Sequence, residues 1–235
     1  MNTERQILAM GGGGFLMEPE NPLLDKFLFG LSHKPRPKVC FVGTAGGDSE
    51  RQNQNFYAAM KGHDVEASHL ALYNGPIGSL KDYVFNKDVI YVGGGNTRNL
   101  LVLWKEWELD KILLEAYQRG IVLGGVSAGS ICWFEEGVTD SIPGTLSPLR
   151  CLGILKGSNC PHYDGEKERR PSYHRLVSAG MKPGIACDDG VAARFVNEKL
   201  VEFVSSRPNG RAYKVYLESS KSTESPIKPR FLGAT

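Results

Sequence analysis

The sequence predicts an α/β protein built on a doubly wound, mostly parallel sheet, with antiparallel strands near the carboxyl terminus. Three observations lead there. Short apolar runs such as Gln6–Met10, 38–43 and Val89–Val92 alternate with segments of helical apolar spacing, the pattern of β-α units. Several runs end in glycine-rich loops, at 11–14, 93–97 and 124–129, and in such a sheet the functional loops gather beyond the carboxyl ends of the strands. Beyond Gly184 the pattern changes to short β-like runs joined by tight turns, notably Asn197-Glu198-Lys199 and Pro208-Asn209-Gly210.

Taken in order, Gln6–Met10 is the first strand and empties into four glycines. These do not complete a phosphate-binding fingerprint, because Leu16 stands where the third glycine of G-x-G-x-x-G would be and no Lys-Ser/Thr follows. They read as a loop that needs close backbone approach. A helix is predicted over 22–31, with Pro22 suitably placed at its start. A strand over 38–43, a helix over 50–61, a strand over 64–72 and a short helix over 77–85 follow. Val89–Val92 then delivers Gly93, Gly94, Gly95, Asn96 and Thr97, and 98–119 reads as one helix capped by Asn96 or Thr97. The run 121–126 is the next strand. Residues 137–144 read as a turn-rich excursion, 152–158 as a returning strand, 165–170 as a charged stretch and 172–179 as a helix. Four β-like runs close the fold at Gly184–Cys187, Val191–Val196, 200–205 and 212–217. The expected organisation is one α/β domain over 1–218 and a polar tail over 219–235 that wraps the surface or stays mobile.

Composition sets limits on function. The chain has 235 residues, 28 basic against 26 acidic, for a formal charge of +2. That balance argues against nucleic acid or an anionic membrane as the main partner. No segment approaches the roughly 20 apolar residues of a membrane span, and Met1 to Arg5 lacks the form of a secretory signal, so a cytoplasmic location is expected. The five cysteines are odd in number, scattered and without a C-x-x-C pair, and read as reduced thiols. No metal or cofactor is called for; homo-oligomerisation is left open.

The chemistry centres on Gly125-Val126-Ser127-Ala128-Gly129. An apolar run that stops at G-x-S-x-G has the form of a strand turning sharply into a helix, with Ser127 exposed at the apex. Serine needs a base, an orienter for that base and an oxyanion hole. Of the five histidines, His33, His63, His69 and His174 lie at turns, a strand or a helix. His162 follows a strand, comes after Pro161 and sits in a loop dense in polar groups. Asp140, Asp164, Glu166, Asp188 and Asp189 are the carboxylates placed to orient it, and spacing does not choose among them. The amide of Ala128 is one natural oxyanion donor, at the positive end of the helix that starts there, and the triple-glycine loop is the best source of a second.

Three motifs in this order and spacing resemble peptidase family S51, which contains peptidase E (aspartyl dipeptidase) and cyanophycinase. They are Tyr91-Val92-Gly93-Gly94-Gly95-Asn96-Thr97, the Gly-Val-Ser-Ala-Gly-Ser elbow, and Asn159-Cys160-Pro161-His162-Tyr163. The resemblance implies a fold like that of the class I glutamine amidotransferases, flavodoxin-like in its sheet. Ser127 would be the nucleophile, His162 the base and Gly94 the oxyanion loop, with the acid at Asp140, the preferred position, or at Asp189. It also implies small peptides as substrates, including dipeptides that begin with aspartate. An arginine downstream of the histidine would pair with the aspartyl side chain; Arg169 and Arg170 lie in that neighbourhood, and Asn96 and Thr97 are further candidates for substrate contact. The competing readings are a non-catalytic binding or regulatory protein on the same frame, and an esterase.

Overall fold

The computed structural model describes residues 4–75 and 78–233. The first half runs β1 (Gln6–Met10), α1 (Leu23–Gly30), β2 (Lys38–Val42), α2 (Glu50–Met60), β3 (Glu66–Leu70), α3 (Leu80–Phe85) and β4 (Val89–Val92). Then come α4 (Thr97–Glu106), α5 (Leu109–Gln118), β5 (Val122–Val126), α6 (Ala128–Ile131), β6 (Phe134–Ile142), β7 (Thr145–Arg150) and β8 (Leu155–Cys160). The last part holds α7 (Arg169–Ser178), β9 (Gly184–Cys187), β10 (Val191–Val196), β11 (Lys199–Ser205), β12 (Ala212–Glu218), β13 (Lys221–Ile227) and β14 (Arg230–Phe231).

Eight strands form the first sheet, in the order β14-β11-β10-β1-β5-β4-β2-β3. The block β1-β5-β4-β2-β3 is parallel throughout, while β10 and β11 add to it antiparallel. The four strands β1, β5, β4 and β2 are almost wholly apolar because both faces are covered, whereas the edge strand β3 is mostly polar and only partly buried. Alternate residues serve opposite cores: Ile7, Cys40, Ile90 and Leu123 pack with Leu100 and Trp104 of α4 and Leu113 of α5. Leu8, Phe41, Tyr91 and Val122 pack with Leu24 and Leu28 of α1 and Phe56 of α2. Helices on both faces make the sheet doubly wound.

Register fixes where the functional loops emerge. Met10 lies opposite Val126, Gly125 opposite Val92, and Val92 opposite Val42. The segments after β1, β5, β4 and β2 therefore leave the same carboxyl edge side by side.

The second sheet has the order β13-β12-β9-β8-β6-β7. Its centre, β6-β8-β9, is parallel, and the outer pairs are antiparallel. Tyr173 and Val177 of α7 cover one face with Val138, Cys160, Ala186 and Val215. Phe134, Leu155, Ile185 and Ala212 join the core of the first sheet.

Four segments differ from the sequence expectation. The helix over 98–119 is two helices, broken where Glu108 takes a left-handed conformation (φ 55°). Trp104 to Leu109 is a step of five, which on a continuous helix would swing Leu109 about 140° off the buried stripe; the break restores it to the core. Residues 137–144 are mostly strand, since β6 and β7 form a hairpin with Ile142 opposite Thr145. Residues 219–233 are not a loose tail: β13 pairs with β12 along its whole length and β14 pairs with β11. The β12–β13 turn places Ser219 and Ser220 at φ 49° and 69°, as a tight hairpin turn requires. These strands are held by backbone pairing rather than an apolar face, so their polar sequence carries no alternation. Finally, the short helix starts at Leu80; its expected start at Ile77, like Met1 to Thr3, lies outside the described residues. Among the described residues no helix is long and apolar enough to cross a membrane.

Candidate active site

Ser127 stands between β5 and the single turn of α6 with φ 57° and ψ −115°, a conformation that costs a non-glycine residue free energy and persists because its surroundings enforce it. Its N–H donates to the Met10 carbonyl at 3.2 Å, and its carbonyl accepts from Ser130 and Ile131, each at 2.9 Å. The flanking glycines permit the turn. A Cβ on Gly125 would come within 2.5 Å of the Gly129 oxygen, and one on Gly129 would overlap the Val92 carbonyl. Because α6 is only one turn, the local amides rather than a long helix dipole are what it offers an oxyanion. Gly94 lies against the serine: a Cβ there would be 3.3 Å from Ser127 Cβ and 3.8 Å from its Oγ.

The second sheet supplies the imidazole. His162 follows β8, and Asp189 follows β9, the strand paired parallel to β8 with Cys160 opposite Ala186. The two side chains meet with His162 Nδ1 2.6 Å from Asp189 Oδ1. His162, at φ 54°, is tied to the first sheet by its N–H to the Gly11 carbonyl at 3.1 Å. Gly190 N–H donates to Gly12 O at 3.1 Å and Asp189 N–H to Asp164 Oδ1 at 2.8 Å. Gly12 must be glycine here, since a Cβ would overlap Asp189 Oδ1. Asn159 Nδ2 reaches Ser130 Oγ at 2.7 Å and locks β8 to the turn after the serine. Asp164 thus braces the Asp189 backbone from behind. Asp188 accepts from Arg211 N–H at 2.9 Å, and burial, aided by nearby Asp164, pushes its carboxyl up to about 6.

Asp140 is elsewhere. It sits on β6 with an exposed side chain 3.6 Å from Arg169 Nη2, across a separate cavity from Arg175 and Glu168. Arg169 is buried; it donates to Glu166 at 2.7 Å and to the Val138 carbonyl at 2.9 Å. Arg170 pairs with Glu224 and lies over the rings of Tyr163 and Tyr213. Asn96 caps α4 through Asn99 N–H at 2.9 Å and donates to Ser141 O at 3.0 Å. Thr97 is buried, 3.3 Å from the Thr139 hydroxyl. None of Asp140, Arg169, Arg170, Asn96 and Thr97 lines the cavity that holds the serine.

That cavity measures about 490 Å³ and brings together Ser127, His162, Gly94 and Val126. The rest of its lining comes from residues with no site role assigned from the sequence: Leu16 and Met17 after β1, Gly46 and Ser49 between β2 and α2, and Arg51, Gln52 and Asn55 on α2. Their signal is positional, because β2 ends level with β4 and β5. None of the five cysteines lines this cavity. Cys40, Cys132, Cys160 and Cys187 are buried, and burial pushes the Cys40 and Cys160 thiols up to about 12.

Comparison with known proteins agrees with this architecture. Residues 7–203 match Peptidase family S51. The chain is 53% identical over 230 residues to the "Uncharacterized peptidase YgaJ" of Bacillus subtilis (strain 168), covering 97% of this chain and 100% of that one. It is 27% identical over 154 residues to the "Uncharacterized peptidase Lmo0363" of Listeria monocytogenes, covering 61% and 72%. Among solved structures, a peptidase from an acI-B1 Actinobacterium superposes with a TM-score of 0.71 at 16% identity, covering 97% of this chain and 96% of the other. A putative peptidase E protein from Listeria monocytogenes EGD-e gives 0.62 at 18% identity, covering 84% and 97%. These two establish the shared fold. With the family matched along most of its length and a relative more than half identical from end to end, the chain belongs to peptidase family S51.

Proposed function

We propose that the chain is a serine peptidase that hydrolyses small peptides through an acyl-enzyme on Ser127. The observation that carries this reading is the 2.6 Å contact between His162 Nδ1 and Asp189 Oδ1, beside a serine at a strained elbow lining the same cavity as His162. A carboxylate on Nδ1 holds the proton there and leaves Nε2 free to act as base. His162 Nε2 takes the Ser127 proton as Oγ attacks the scissile carbonyl. The oxygen that becomes negative is received by the N–H groups of the Gly94 loop and Ala128, arranged before the reaction starts. The carbon–nitrogen bond breaks as His162 returns the proton to the leaving amine, and water activated by the same imidazole releases the acyl group. Asp189 is the orienting acid in this scheme, with Asp140 outside it.

Dipeptides beginning with aspartate belong among the substrates to be tried. Arg169 and Arg170, both engaged away from the cavity, are not what would select them. The test is cleavage of a dipeptide library, aspartate-initiated members included, by wild type and Ser127→Ala. Turnover by wild type alone, with a serine-directed phosphonate adduct at Ser127, is the expected result. A folded wild type that forms no adduct would instead favour a binding protein, and hydrolysis by Ser127→Ala at the wild-type rate would exclude Ser127 as nucleophile.

A further inference from the structure

Arg51 has no role in the chemistry just described, yet it lines the reaction cavity opposite His162's side of the elbow. The carboxyl edge sets this order. Gly12, which contacts His162, follows β1; Ser127 follows β5, Gly94 follows β4, and Arg51 opens α2 after β2. Among the described residues, Arg51 is the permanently charged side chain on that cavity wall; it is exposed, and its guanidinium makes no ion pair with any described acid. None of the acids on the surrounding loops pairs with it: Glu18 is held by Arg207 at 2.6 Å and by Ser206 at 2.8 Å, Asp189 by His162, Asp48 accepts the Leu72 and Tyr73 amides on Oδ2 while its Oδ1 has no partner, and Glu50, the preceding residue, accepts from Gln54 at 3.4 Å. Beside Arg51, Gln52 lines the same cavity with its Oε1 buried and without a hydrogen-bond partner. An uncompensated guanidinium next to an unsatisfied amide, across a polar cleft from a nucleophile, matches a ligand that brings a carboxylate and an N–H.

We propose that Arg51 recognises a carboxylate of the peptide substrate by a two-pronged ion pair and so determines specificity at this site. The inference rests on the peptidase reading for the identity of the ligand as a peptide. The carboxylate is either the terminal one of the leaving residue or the side chain of an acidic amino-terminal residue. Both present the same planar anion to the guanidinium.

The test separates these sources, and separates this inference from the peptidase reading. Ser127→Ala protein, able to hold peptide without an acyl step, is titrated with aspartyl-leucine, asparaginyl-leucine and the carboxyl-terminal amide of each. Neutralising the recognised carboxylate is expected to weaken binding about 10- to 100-fold, the range for a charge-assisted pair. Adding Arg51→Gln abolishes that difference, and Arg51→Lys restores part of it. Loss on changing aspartyl to asparaginyl identifies the side chain; loss on amidation identifies the terminus. The inference is overturned if none of the four binds, or if Arg51→Gln leaves the acid-to-amide ratios unchanged or weakens all four alike. Phenylmethanesulfonyl fluoride, which carries no carboxylate, is expected to label Ser127 equally fast with or without Arg51→Gln in the otherwise wild-type chain, showing that the variant is folded. Absence of labelling and of turnover in wild type would sink the peptidase reading alone, since the titration reads binding.

Discussion

Asp140 lies on β6 and Asp189 just past the end of β9, the two strands that flank β8, which delivers His162. Extending the pairing of Gly137 with Asn159 by three residues brings Asp140 level with His162, and extending that of Cys160 with Ala186 brings Asp188 level and Asp189 next to it. Register alone therefore brings both acids level with or next to the histidine. Their fates diverge because the strands end differently. β9 stops at Cys187, and the chain folds back onto the first sheet through Gly190 N–H and the Gly12 carbonyl, carrying Asp189 inward to a side-chain exposure of 12%. β6 runs on as the arm of a hairpin with β7 and carries Asp140 outward to 62%. The partner of a histidine is chosen by where a strand stops, not by the order of residues along the chain.

The sharpest way to break this contrast is Asp189→Asn. Asparagine is close in shape but presents Nδ1 with an amide that favours the wrong tautomer. Turnover is expected to fall about 10³- to 10⁴-fold, or about 4 to 5 kcal/mol of transition-state stabilisation, with the circular dichroism spectrum unchanged. A fall below tenfold would move the orienting role elsewhere.

Burial alone does not make such an acid, and Asp25 sharpens the point. It is as deeply buried as any carboxylate described here, but its side-chain partner is the Tyr91 hydroxyl at 3.0 Å, not a cation. Burial pushes its carboxyl from 3.8 up to about 7. The sign follows from linkage: a folded-state value above the unfolded one means stability that is full below about pH 4, declines as pH rises, and is lost by about pH 7. Asp25→Asn, neutral at every pH, is expected to remove up to about 4 kcal/mol of that decline. Denaturant unfolding of both proteins at pH 5 and pH 8 checks it: equal pH dependence would show that Asp25 is not the source.

Much of this architecture could be read in advance, for a physical reason. β1, β2, β4 and β5 are buried on both faces, so each is a continuous apolar run, and the sharp turn after β5 admits only small residues beside Ser127. The three motifs that resemble family S51 fall within the residues that match it. The strands β7 and β13 were opaque because backbone pairing largely sustains them, and β6 because its buried Phe134 and Val138 are separated by Glu135, Glu136 and Gly137. Arg51 was opaque too. It reaches the cavity only because β2 ends level with β4, a neighbour relation that exists in the sheet and not in the chain.

The Asp140 side of the comparison predicts smaller effects. Arg169, 2% exposed, satisfies the Val138 carbonyl and draws Glu166 over itself. Arg169→Met leaves that buried carbonyl without its donor, and a loss of about 1 to 3 kcal/mol in stability is expected, read from the urea midpoint. Turnover per folded molecule should hold, since Arg169 touches no part of the cavity with Ser127; a rise in KM for aspartate-initiated dipeptides would return it to the substrate site.

The smallest effect is expected at Asp140 itself. Its carboxylate is largely in water and 3.6 Å from an arginine already held by two stronger partners. Exposed ion pairs of this kind contribute between nothing and about 1 kcal/mol. Asp140→Asn should therefore change stability by less than about 1 kcal/mol and kcat/KM by less than about threefold. The value of so small a change lies in its pairing with Asp189→Asn: two isosteric changes either side of β8, one on β6 and one just past β9, differing a thousandfold in outcome, can only be reported by a site that uses one carboxylate and ignores the other. Comparable losses from both would mean that the β6 hairpin closes over the cavity when peptide binds.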